Sequence, residues 1–391
     1  MRVLFGFVCV FAAAGLWGQD EELKRLLEEA EAEAAEAEAR KPHLAPTLTQ
    51  QRANAFNPAI FVVTDFLGRL DDPDVHHHGE EVGDRFSLRG FGLNFKADVD
   101  PFAKAFAVVG YHEHAPGHGH IHIEEAYLHL LRLPAGMGLY LGRFRSHFGM
   151  INRLHLHDLP HPTRPLFAET FFGEEGLVFQ GGALEWVVPG SGAALRLEVA
   201  NGENPVLLAG KDSDDLAYAL RARFPVEVGS SCWLQFGANG LFGYNDPEGE
   251  HQTRAGGLDF VFCWRPPERG IYRSVFLQIE YLHADIERGA TFVNTHPNGG
   301  FAMLVARISR SVYFALRYEL SEYPTDDEAH FWAAAFAVTY QTSEFLRFRL
   351  GFRHSERFDA AGRYAGNSSS LFLQVVWVFG AHPAEPYWVP R

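Results

Sequence analysis

The sequence predicts an all-β chain: a transmembrane antiparallel up-and-down β-barrel of about sixteen strands, preceded by a short N-terminal α-helix. Three observations carry this. From Pro58 onward, apolar and polar residues alternate with period two over segments of about ten residues. The connections between those segments alternate in length, every second one being short. After Trp17 no stretch approaches the ~18 consecutive apolar residues that a membrane helix needs.

The elements follow in order. In "MRVLFGFVCVFAAAGLWGQD", Arg2 precedes an apolar run from Val3 to Trp17, and small and polar residues follow. That is a secretory signal peptide over residues 1–19, with cleavage near Gly18 or Gln19. Cys9 leaves with it, so Cys232 and Cys263 are the cysteines of the mature chain. Residues 20–41, "DEELKRLLEEAEAEAAEAEARK", contain no Gly and no Pro. Leu23, Leu27, Ala30, Ala34 and Ala37 recur at alternating spacings of four and three, with Glu covering the other faces. The segment is either a solvated single helix or a periplasmic coiled coil that helps a barrel trimerise. Residues 42–56 form a linker, and residues 57–391 form the barrel with a periplasmic C-terminal tail.

Within the barrel, the first strand segment is 58–70 and the last 369–381. In "SEFLRFRLGFRHS", Leu346, Phe348, Leu350 and Phe352 share one face, and Arg347, Arg349 and Arg353 share the other. In "SVYFALRYEL", Val312, Phe314, Leu316, Tyr318 and Leu320 oppose Tyr313, Arg317 and Glu319. The apolar sets are expected to face lipid and the charged sets a wet lumen. Short connections such as "PAGM", "SRS" and "TSE" belong on the periplasmic side, and longer polar ones such as "DDPDVHHHGEEVGD" outside. Cys232 falls on the outward parity and Cys263 on the inward one, which argues against a disulfide between them.

The net charge of −15 argues against nucleic acid as a partner. No P-loop, no GxGxxG after a strand, no HExxH and no GxSxG is present, so the chain is not expected to be an enzyme. Three stretches carry a resemblance: "IEEAYLHLLRLPAGMGLYLGRFRSHFGMINRLHLHDLPH", "FFGEEGLVFQGGALEWVVP" and "LFLQVVWVFGAHPAEPY". The chain resembles Gram-negative outer-membrane porins. The likeness is to the phosphate-selective type with an N-terminal coiled coil, and to the proteins described as zinc-regulated outer-membrane receptors or porins. It departs from the phosphate channels in lacking a luminal lysine ladder; the luminal basic residues here are Arg. The resemblance implies that the longest connection, residues 149–174 after the fifth segment, folds into the barrel and narrows it.

Candidate pore-lining and constriction residues are Arg143, Arg145, His147, Asp158, Glu169, Arg221, Arg223, Arg317, Arg347, Arg349 and Arg353. Inward arginines give a positive potential that favours anions, or they pair with luminal carboxylates such as Asp65, Glu198, Asp259 and Glu319. Twelve of the 20 histidines lie in three outer regions. The metal-ligating candidates among them are His76, His77, His78, His112, His114, His118, His120, His122, His155, His157 and His161. The segment "YHEHAPGHGHIHIEEAY" is expected in the second outer loop, running from the strand segment 103–113 into the segment 120–133, and imidazole beside carboxylate suits Zn2+, Cu2+ or Ni2+. No fixed spacing singles out a ligand set, so these residues are either weak metal sites or solvated polar loops.

The expected function is a passive outer-membrane diffusion channel with a role in zinc or other divalent-metal uptake. It needs no cofactor, though Zn2+ would bind weakly at the outer loops. The expected partners are outer-membrane lipid, small hydrophilic solutes or metal ions, and two further copies in a homotrimer. The alternatives are an anion- or phosphate-selective porin using the luminal arginines, and a barrel adhesin or barrel enzyme.

Overall fold

In the computed structural model the strands are β1 (Ala59–Asp71), β2 (His76–His77), β3 (Glu80–Glu81), β4 (Arg85–Asp100), β5 (Ala103–Ala115), β6 (His118–Leu133), β7 (Met137–Arg145), β8 (Val178–Val187) and β9 (Ala194–Asn201). They continue as β10 (Leu216–Val228), β11 (Cys232–Tyr244), β12 (Gln252–Trp264), β13 (Ser274–Ile286), β14 (Asn298–Arg307), β15 (Val312–Tyr323), β16 (Asp326–Ser343), β17 (Leu346–Phe358) and β18 (Tyr364–Gly380). A short helix, α1 (Leu166–Phe172), lies between β7 and β8. The structure describes residues 58–391 except 73–75, 78–79, 82–84, 116–117, 203, 205, 209–214, 271, 289–292, 382–385, 387 and 389–391. The signal peptide, neck helix and linker expected over 1–56 lie outside the described residues.

Sixteen of the strands close into one antiparallel barrel, and β1 pairs with both β4 and β18. Among the described residues, only β2 and β3 stand apart, as a two-stranded ribbon in the first outer connection. Closure leaves no strand edge unpaired, which is the condition for a sheet to cross hydrocarbon.

The two faces separate by parity as the alternation requires. Leu316, Leu320, Leu350 and Phe352 are exposed on the outside, while Arg317, Glu319, Arg349 and Arg353 on the same strands are buried inside. Among the described residues, Cys232 and Cys263 are unbridged. The register explains it: Cys232 pairs with Trp264 and Trp233 with Cys263, so the two thiols leave the sheet on opposite faces.

Two features depart from the expected layout. The strands on either side reach further into "YHEHAPGHGHIHIEEAY" than expected. β5 and β6 carry their pairing up to Ala115 and His118, and the histidines ride on strands. β6 also carries a bulge, where its partner register moves from Val108–Glu125 to Val109–Ile123. A bulge seats one extra residue and re-aims its neighbours. Here Glu124 and Glu125, consecutive in sequence, both become buried, whereas strict alternation would turn one of them outward.

Candidate functional site

The connection from Ser146 to Leu177 runs inside the barrel and is bonded to the wall along its length. Glu280 of β13 accepts from the backbone N–H of Met150 at 2.9 Å and of Ile151 at 2.8 Å. Glu319 of β15 accepts from the Phe167 N–H at 3.0 Å, at the start of α1. Glu198 of β9 takes the Ser146 hydroxyl at 2.6 Å and the His147 N–H at 3.0 Å. From the other side, Arg317 donates to Thr163 O at 2.8 Å and Arg349 to His161 O at 3.2 Å. Arg347 donates to His157 O, and Arg89 to Pro162 O. A backbone buried away from water needs these partners, and the charged wall supplies them.

The apolar side of the same connection fills one part of the lumen. Phe148, Ile151, Phe167, Phe171 and Leu177 pack with Leu207 and Leu208 of the next outer connection, against β7 to β16. Trp388 of the C-terminal tail joins this core. Its indole N–H donates to Asp158 O at 2.7 Å, and its ring meets Tyr313 edge-on, with centroids 5.3 Å apart. The tail, expected to be periplasmic, therefore places a tryptophan in the lumen.

Open space remains on the side of β1, β4–β6, β17 and β18. One cavity of about 210 Å3 is lined by Asp65, Arg89, His112, His122, Glu124 and Arg353, among others. A second, of about 410 Å3, is lined by Lys96, Lys104, His129, Asp158, Glu344 and Arg347. The first opens towards the long connections and the second towards the short turns. Three residues line both: Val63, His155 and His157. Two loop imidazoles against β1 therefore stand between the two cavities.

The narrowing is polar and tightly paired. His155 Nδ1 lies 2.8 Å from Glu124 Oε2, and its Nε2 lies 2.8 Å from Glu125 Oε1, so the bulge on β6 delivers both carboxylates to one ring. Glu124 Oε1 meets His112 Nε2 at 2.9 Å, and the Arg145 guanidinium lies 3.5 Å from Glu124. Burial and Arg145 work against charge on His155. Its bonds to the two carboxylates outweigh them and lift its pKa to about 9. The stacked ring of His157, with its centroid 5.5 Å from that of His155, is held below the ordinary imidazole value by burial. At neutral pH the constriction thus presents one imidazolium and one neutral imidazole.

Of the proposed pore-lining residues, Arg145, Asp158, Glu169, Arg347 and Arg353 line a cavity. Arg143, His147, Arg221, Arg223, Arg317 and Arg349 line neither. Arg221 is paired with Asp259 at 2.8 Å, and Arg317 with Glu319 at 2.7 Å. Of the histidines, His112 and His122 line the outer cavity, with rings 5.1 Å apart, and the ring of exposed His120 is 5.0 Å from that of His122. His155 and His157 sit deeper, at the constriction. His161 is buried behind the loop, beside Arg317 and Arg349. The side chains of His76, His77, His78, His114 and His118 lie outside the described residues. Sequence reasoning did not single out Glu125 or Glu175. The adjacent pair "EE" after alternating histidines was the available signal for the bulge.

No family model matches the chain. A curated relative, an uncharacterized protein of Aquifex aeolicus (strain VF5), is 27% identical, covering 85% of this chain and 80% of its own length. Among solved structures, OprB of Pseudomonas putida superposes with a TM-score of 0.58 at 9% identity, over 85% of this chain and 96% of its own. The fold is that of the porins. The outer membrane channel DcaP of Acinetobacter baumannii gives 0.54 at 13% identity, over 83% and 96% of the two chains. An anion-selective porin from Comamonas acidovorans gives 0.53 at 11%, over 83% and 99%.

Proposed function

We propose that the chain is a passive, non-enzymatic diffusion channel of the bacterial outer membrane, working as a homotrimer and admitting small hydrophilic solutes and ions. The observation that carries this is the pair of cavities meeting at Val63, His155 and His157 across the infolded connection. The exposed apolar face of the barrel and its likeness to outer-membrane channels support the location.

Within that reading we favour divalent metal ions as one class of permeant. The outer cavity sets nitrogen and oxygen donors, His112, His122, Glu124 and His157, beside Arg89, Arg145 and Arg353. The anion-selective alternative draws on Arg143, Arg223, Arg347 and Arg353. It loses weight because Arg89 and Arg145, which line the outer cavity, lie 2.5 Å from Asp65 and 3.5 Å from Glu124. Single-channel recording in planar bilayers, with reversal potentials under a salt gradient, tests both. A reversal potential on the cation side is expected, anion selectivity would favour the alternative, and a chain that inserts without conducting would end the channel reading.

A further inference from the structure

His120 and His122 are two positions apart on β6, so their side chains leave the strand on one face. Ile121 and Ile123, between and after them, are exposed on the opposite face. Glu175 reaches them from the far end of the infolded connection. The ligand atoms of these three residues all lie within 4.8 Å of one another. His122 Nε2 is 3.2 Å from Glu175 Oε1, and its Nδ1 is buried with no hydrogen-bond partner among the described residues. An imidazole nitrogen shut away from water and unpaired is costly unless something binds it. Ligands on a tetrahedral ion at about 2.0–2.2 Å stand roughly 3.4 Å apart, a distance that side-chain rotation can supply here.

We propose that His120, His122 and Glu175 form a capture site for a divalent transition-metal ion of the Zn2+ class at the outer mouth. The inference rests on the divalent-metal reading above for its purpose, and on the ligand geometry alone for its chemistry. Two imidazoles and one carboxylate select borderline ions over Mg2+ or Ca2+, which prefer all-oxygen shells. Three protein ligands leave a fourth position open to water or to an incoming ligand, as suits an ion that must be released. The next donors lie inward. His112 is in ring contact with His122 and bonds Glu124, and Glu124 bonds His155 at the narrowing. A captured ion therefore meets further nitrogen and oxygen donors, His112 and Glu124, inward of the mouth. Glu175 belongs to the infolded connection and its backbone carbonyl accepts from Arg145, so occupancy would also tie that connection to β6.

The test is calorimetric titration of the folded full chain, without an affinity tag, with ZnCl2 at neutral pH, beside planar-bilayer recording of the same preparations. His122→Ala and Glu175→Gln should each weaken the tightest zinc binding at least tenfold. His251→Ala, an outer histidine away from the cluster, should not, and MgCl2 should give no comparable heat. Zinc-edge X-ray absorption on the wild type needs no variant to fold, and should show two imidazoles and one oxygen ligand from the protein. Wild-type heats in both ligand variants, no zinc binding, or a shell without histidine would each overturn the site. Loss of binding in the variants without any ion current would keep the site and remove the channel reading. Ion current with zinc binding indifferent to both variants would do the reverse.

Discussion

At the scale of single residues, His155 bears the most. One imidazolium spans two carboxylates that arrive side by side only because β6 is bulged. Its folded pKa of about 9 lies above the ~6.5 of free imidazole. The sign follows: its contribution to holding the connection is fully present below about pH 6.5 and is lost as pH rises through about 9. Conductance or current noise should therefore increase between about pH 8 and 10 in the wild type. In His155→Gln, which cannot carry the charge, that step should be absent from bilayer recordings. A second residue tests the same carboxylates from the wall. A Cβ on Gly110 would overlap the Glu124 carboxylate. Gly110→Ala should cost about 1–3 kcal/mol in reversible urea unfolding and raise the conductance by displacing Glu124 from His112 and His155.

At the scale of elements, β17 separates the lipid face from the luminal one. Leu350→Arg, on the lipid face and further along the strand from the turn than Phe348, should destabilise the barrel by about 2–4 kcal/mol, measured by unfolding in lipid vesicles. Its neighbour Arg349 bonds Thr339, Gln374, Tyr313 and His161 O. Arg349→Ala should leave the strands paired and loosen the infolded connection, seen as faster amide exchange at residues 157–164. The strands were legible from the sequence because a half-buried strand writes its two faces at period two. The order of short and long connections was legible for a similar reason, since turn and loop chemistry differ. What stayed hidden was how the charges are used. Arg317 and Arg349 read as lining a wet pore, yet they serve carbonyl groups of the connection, whose path no periodicity records. The bulge at Glu124 and Glu125 was hidden too, because it breaks the period on which the reading relied.

At the scale of the whole molecule, the closed sheet should resist detergent. The chain is expected to migrate on gels as a faster, compact band until boiled, and a single heat-independent band would speak against closure. The lumen brings a different consequence, one of timing. The infolded connection is bonded in part to neighbouring strands, but three of its fastenings come from far later: Arg347 and Arg349 are 190 and 188 positions from the carbonyls they hold, and Trp388 is 230 from Asp158. Ring closures of that length are slow to find. None can form before the last strands and the tail have been made. The cylinder should therefore assemble first around a loose interior, and the interior should set afterwards. In refolding, the compact gel band should appear before amide protection of residues 150–170. A chain ending at Gly380 should reach the first stage and stall short of the second.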